Sequence, residues 1–165
     1  MTRAAPAVMD SGEEQAIARA MAALAAQGSP LDELAEVACE LLAALLGAET
    51  AAYEVKPDGH LTMVAGAGPS AKLPREIYPQ PGALIACSLL RAGMVSSRLI
   101  PIEPELAATS QRFTFAVSPE RSDDRRMVLV LTGDARAAVS IATSTLPARV
   151  ANVLNRTMLV LQRAA

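Results

Sequence analysis

Apolar positions in the first 47 residues fall at helical spacing. Ile17, Met21 and Leu24 recur at steps of four and three along an otherwise Ala-rich segment, which predicts a helix over 11–27 with one narrow apolar stripe. Ser11 and Glu14 carry the spacing of a capping box at its start, and Gly28 marks its end. The chain restarts at Ser29-Pro30, with Ser as N-cap and Pro at the first helical position, where a missing N–H goes unnoticed. Leu31, Leu34, Val37, Ala38, Leu41, Leu42 and Leu45 then give a second helix a broad apolar face that has to pack on a sheet or another helix; this helix ends at Gly47.

From Glu49 the period drops to two. The runs TAAYEVK and HLTMVAG read as strands, and Pro57-Asp58-Gly59 between them supplies a preset φ, a capping side chain and a residue free to take positive φ. An antiparallel hairpin is expected there. A Gly-, Pro- and Ser-rich stretch from Gly66 to Pro81 reads as a loop, and GALIACSLLRAG, bounded by Gly82 and Gly93, as a short helix. MVSSRLI is extended and leads into a proline-punctuated loop. QRFTFAVS and RRMVLVLTG form a second hairpin across the polar turn PERSDD. After a linker of small residues, a final helix over 146–163 carries Val150, Val153, Leu154, Met158 and Leu161 as its stripe.

A chain of 165 residues suits one domain with a real core, with 1–10 as a flexible tail and 11–165 as the folded unit. A formal charge of −2, from 15 Lys+Arg against 17 Asp+Glu, gives no field that draws in nucleic acid or an anionic membrane. Runs such as LLAALLG fall well short of the roughly 20 residues that span a bilayer. The N-terminus has no apolar h-region, so a cytoplasmic location is expected. Cys39 and Cys87 sit in apolar settings away from metal-ligand spacing, and they read as reduced core thiols. With two Tyr, two Phe and no Trp, an aromatic stacking platform is discounted.

The run LLGAETAAYEVKPDGHLTMVAGAG, continued by LPREIYPQPGALIACSLLRAGMVSSR, resembles the opening of a GAF domain, and RFTFAVSPERSDDRRMVLVLTG with LPARVANVLNRTMLVLQ resembles its closing strands and terminal helix. The resemblance covers roughly 29–162 and rests on the order of elements; the related PAS type would lack the long helix before the hairpin. It implies an α+β fold, a twisted antiparallel sheet with flanking N- and C-terminal helices on one side and a loop-covered cavity on the other. It also implies a bacterial sensory or regulatory module that is a homodimer through its end helices. Ile17, Met21 and Leu24 with Val150, Leu154, Met158 and Leu161 are the residues expected to serve that contact or to pack within one subunit. Output is expected to pass to a separate protein partner.

The alternative is a receptor for a nucleotide or metabolite with its pocket under the 66–98 segment, where Tyr53, Tyr78, Ser88, Arg91, Arg98 and Arg112 are the candidate ligand contacts. GAF relatives that hold bilins anchor them through a Cys usually followed by His; here Ser88 follows Cys87, so Cys87 reads as packing. GAF-type methionine sulfoxide reductases need clustered cysteines, and two so far apart argue against that redox activity. His60, first after the turn, reads as exposed, with no acid or nucleophile placed beside it. Arg121 and Asp124 match the Arg-x-x-Asp of cyclic dinucleotide sites but read more simply as turn residues. The expectation is therefore a non-catalytic module with no metal and no cofactor.

Overall fold

The computed structural model describes residues 11–68, 73–78, 93–97, 113–118 and 126–164. Helices α1 (Ser11–Ala26) and α2 (Leu31–Leu46) lead into strands β1 (Glu49–Val55), β2 (Leu61–Ala67), β3 (Glu76–Ile77), β4 (Gly93–Ser97), β5 (Phe113–Ser118) and β6 (Arg126–Gly133). Helices α3 (Ala135–Thr143) and α4 (Leu146–Ala164) close the described chain. The strands form one antiparallel sheet in the order β3-β2-β1-β6-β5-β4, with the last β-strand of the sequence inserted beside the first. The expected α+β architecture is the one observed.

Strand alternation divides the sheet into two faces. Ala52 on β1, Val117 on β5 and Met127, Leu129 and Leu131 on β6 join the helices in one core cluster. α2 contributes Leu34, Ala35, Ala38, Cys39, Leu42 and Leu46, so its buried face is turned from the one the Leu spacing suggested, and Val37 and Leu45 are 42% and 41% exposed. The short side chains of Ala52, Ala65 and Ala67 are what α2 meets where it lies across β1 and β2. On the opposite face, Ala51, Tyr53, Val55, Leu61, Ile77, Ala116, Val128 and Val130 make a second, smaller cluster.

The terminal helices close on each other within one chain. Met21 of α1 and Val150, Leu154 and Met158 of α4 are buried in the shared core; Ile17 is partly buried against it, while Leu24 stays 37% exposed. The side chain of Leu161 lies outside the described residues.

Two polar side chains fix α4. The capping-box role given to Glu14 is corrected: its carboxylate, 3% exposed, accepts from Ser144 Oγ at 2.8 Å, from Thr145 N–H at 3.1 Å and from the Thr145 hydroxyl, and so caps the start of α4 across 130 residues. About two and a half turns further along α4, Asn155 accepts from Met127 N–H at 2.8 Å and donates to Met127 O at 3.0 Å and Ala151 O at 2.7 Å. Its amide takes the place of a strand neighbour for β6 beyond the Val117–Leu129 pair, the last between β5 and β6 among the described residues.

Two elements differ from the sequence reading. The linker of small residues is α3, capped by Asp134, whose carboxylate accepts from Ala137 N–H at 2.9 Å. The loop before Pro79 holds β3, only two residues long and paired with Leu61 and Thr62. At α2, Pro30 itself occupies the N-cap position without a side-chain cap, one residue later than the Ser29 cap expected. The expected tail 1–10 and residues 82–92 of the expected short helix fall outside the described residues, while Gly93, taken as its end, starts β4.

Candidate functional site

The hairpin forms as its turn chemistry requires. Lys56 N–H donates to His60 O at 2.8 Å around Pro57-Asp58-Gly59, and Gly59 takes φ 90°. A bulge follows in β2: the partner of Ala52 is Ala65 and that of Tyr53 is Met63, so Val64 is the extra residue. β3 pairs with β2 only at Leu61 and Thr62. Beyond that point, among the described residues, no strand covers the outer edge of β2.

A cavity of about 390 Å³ occupies that edge. Its walls are Glu49, Thr50 and Ala51 of β1, Met63 to Ala67 of β2, and Leu73 and Arg75 of the segment that leads into β3. Glu49 and Arg75 are the ionisable residues among these. Glu49 is 3% exposed, and its Oε1 accepts from Leu73 N–H at 3.0 Å. Gly68 closes over it at φ 136°: a Cβ there would stand 2.8 Å from the Glu49 Cα, so only glycine lets the chain pass so near. Arg75 is exposed.

The segment 73–78 is a strap tied down residue by residue. Leu73 N–H binds Glu49; Pro74 O accepts from the Tyr53 hydroxyl at 2.7 Å; Arg75 O accepts from Met63 N–H at 2.7 Å; Glu76 and Ile77 pair with β2. At its end Tyr78 stacks on His60, ring centroids 5.0 Å apart and 13° from parallel, and its hydroxyl donates to Glu76 at 3.2 Å. That bond to Glu76, with the carboxylate's charge, raises the Tyr78 phenol above its ordinary 10.

His60 has the company that its sequence position did not suggest. Its Nδ1 lies 2.5 Å from Asp58 Oδ1, which also accepts from His60 N–H at 3.1 Å, and its Nε2 lies 3.4 Å from Thr62 Oγ1. The imidazole is only 20% exposed. The His60 bonds hold the Asp58 carboxyl below its ordinary value.

Of the ligand contacts expected from sequence, Tyr53 is fully buried on the cavity side of the sheet, with its hydroxyl committed to Pro74. Burial first, then the charge of Glu49, pushes its phenol above the ordinary range. Tyr78 is at the far end of the strap, 52% exposed. Neither is among the residues that line the cavity. Ser88, Arg91, Arg98 and Arg112, with Cys87, Arg121 and Asp124, lie outside the described residues. Sequence reasoning passed over Glu49, Met63, Gly68 and Arg75. Glu49 shares strand parity with Ala51 and Tyr53, which was a usable signal; Arg75 stands in a proline-rich stretch with no period to read.

Cys39 is on the helical side of the sheet, its thiol 3.8 Å from Ala65 O as donor. Burial pushes it up to about 12, with the Ala52 backbone working against that and Glu40 adding to it. Such a thiol is not a nucleophile at neutral pH.

No protein-family model matches the chain, and no curated protein matches it. Solved structures do. A free methionine-R-sulfoxide reductase from Neisseria meningitidis, in complex with its substrate, superimposes over 100% of both chains with a TM-score of 0.69 at 16% identity. The A. aeolicus nlh2 GAF domain in an inactive state covers 90% of this chain and 96% of its own, with a TM-score of 0.62 at 8% identity. A phycoerythrobilin-bound GAF domain from a cyanobacterial phytochrome covers 90% and 97%, with a TM-score of 0.61 at 15% identity. The chain has a GAF-like fold. The GAF-like scaffold serves sensors and an enzyme alike, and the reductase overturns the expectation that the chain carries no enzyme: over its whole length this fold is one that an enzyme uses. No described helix of the GAF-like domain is long and apolar enough to cross a membrane.

Proposed function

We propose that this GAF-like domain is a sensory module that takes a small ligand into the cavity between β1, β2 and the strap, and passes its occupancy to a protein partner. One observation carries the reading: a space of about 390 Å³ beside a sheet edge, walled by a buried carboxylate, a guanidinium and short apolar side chains. That volume and that mixture of a few polar groups in an apolar wall are what small-molecule sites have. GAF domains with a bound chromophore or within a putative sensor kinase share the fold, which supports a sensory role. This ranks the receptor above a scaffold that acts through its end helices alone, because Met21, Val150, Leu154 and Met158 are already spent inside the chain's own core. Homodimerisation belongs to the proposal through the apolar residues that α1 and α2 leave exposed, Leu24, Val37 and Leu45.

The strap gives occupancy a way out. A ligand that touches Arg75 or Leu73 pulls on a segment bonded to Glu49, Tyr53, Met63 and β2, and ending on His60. The test is native mass spectrometry of the protein purified from its own host, compared with the denatured mass. Extra mass that leaves on denaturation is the expected result. A clean apo protein, from cells grown under several conditions, contradicts the receptor reading.

A further inference from the structure

We infer that the outer face of α2 is the docking surface for a basic amphipathic helix of a partner protein. The inference rests on the reading that this domain reports to a protein partner, and it names that partner's chemistry. Two rows run side by side along α2 at steps of four. Val37, Leu41 and Leu45 form one, with Val37 42% and Leu45 41% exposed and Leu41 half-buried. Asp32, Glu36 and Glu40 form the next, all exposed, and the exposed Glu33 heads the apolar row. α2 carries no Lys or Arg, and among the described residues none of these four carboxylates is in an ion pair. Asp32 and Glu33 suit the positive end of the helix dipole, but Glu36 and Glu40 lie beyond its first turn. Val37 and Leu45, beside them, stay outside the core.

A partner helix with Leu in one row and Lys or Arg in the next meets both rows at once, ridge into groove. Its apolar row covers Val37, Leu41 and Leu45, which supplies the burial that holds the pair, and its cations reach Glu36 and Glu40, which select it. A second copy covers the apolar row through the self-contact proposed above but brings only carboxylates to the acidic one, so the basic helix displaces it. The seat of α2 joins this face to the cavity. Ala65 and Ala67 line the cavity and also pack against the helical core, and the Cys39 thiol of α2 donates to Ala65 O at 3.8 Å.

Fluorescence anisotropy tests this on the full chain with three labelled peptides of about 18 residues, long enough to form a helix. One has Leu and Lys in adjacent rows at steps of four; the second has the same composition in scrambled order; the third has Glu in place of Lys. The first is expected to bind at least about tenfold more tightly than either of the others. Glu36→Lys with Glu40→Lys, and separately Val37→Ser with Leu45→Ser, should each weaken it by about tenfold or more. All four positions are exposed, so both double variants keep the fold, which matching circular dichroism verifies. Equal binding of the scrambled peptide, or full affinity in either double variant, overturns the inference. Failure of the first peptide to bind also overturns it, and a dimer that dissociates in Val37→Ser with Leu45→Ser then assigns the face to a second copy. A bound ligand in the native mass spectrum alongside such a failure leaves the receptor reading standing without this face; an empty spectrum with the expected peptide binding leaves the face standing without the receptor.

Discussion

Glu14 and Glu49 are each 3% exposed, yet they sit in opposite kinds of surroundings. Glu14 lies in the helical layer, wrapped by Ser144 and Thr145 at the start of α4. Glu49 lies on the cavity side, where one oxygen holds Leu73 and the residue forms part of a wall that a molecule can reach. Burial of a charge is common to both; access is not. A buried carboxylate marks a site only where space adjoins it, and otherwise it marks a joint in the scaffold.

The comparison breaks most visibly at Glu14. Glu14→Ala leaves the first turn of α4 without its acceptor and should lower stability by about 2–3 kcal/mol in urea denaturation, with no effect on any ligand beyond that loss. The pH dependence follows from the same bonds. Burial alone would raise the Glu14 carboxyl, but the hydrogen bonds from Thr145 and Ser144, with Arg149 near, bring it below its ordinary 4.5. A folded value below the unfolded one means stability that is present at neutral pH and lost as the pH falls through the folded value. The stability gap between the parent and Glu14→Gln should therefore hold from pH 7 down and narrow below about 4.5; a gap that widens in acid contradicts the cap.

Asn155→Ala should come next, at about 2 kcal/mol, since it strands both backbone groups of Met127. Gly68→Ala belongs to the cavity side. With a Cβ 2.8 Å from the Glu49 backbone at φ 136°, it should lose about 1–3 kcal/mol and also displace the strap, so ligand binding falls more than stability explains. Tyr53→Phe should be milder, about 1 kcal/mol, and should speed amide exchange in 73–78 before anywhere else. The smallest effect is chemical: in a Cys87→Ser background, Cys39 should resist iodoacetamide at pH 8 in the native state and react once unfolded. Rapid native labelling would mean that the helical face is open where the structure closes it.

The scaffold was legible because its large elements carry long periods. The hairpin was readable from Pro57-Asp58-Gly59, and α2 and α4 from Leu and Val at helical steps. What escaped had too little pattern to register. β3 is two residues, too short for alternation to exist. α3 is built on Ala, so its buried face, Ala137, Ala138 and Ile141, offers a single large residue to read. Glu14 could be assigned only to a local cap, because its true partners are 130 residues away. The candidate site was the least legible part. Its walls are Ala, Gly and Met on a strand edge, plus an arginine in a proline-rich strap, and only the folded chain brings Arg75 to the cavity that Glu49 lines.

Seven methionines make the central claim directly measurable. With ¹³C-methyl methionine, the full chain would be titrated with the small-molecule extract of its own host, and Met63 on the cavity followed against Met21, Met127 and Met158 in the helical core. The account predicts that the Met63 methyl shifts first while the three core methyls stay in place. Shifts that begin at Met21 or Met158 with Met63 unmoved would contradict it and move the working surface to the helices.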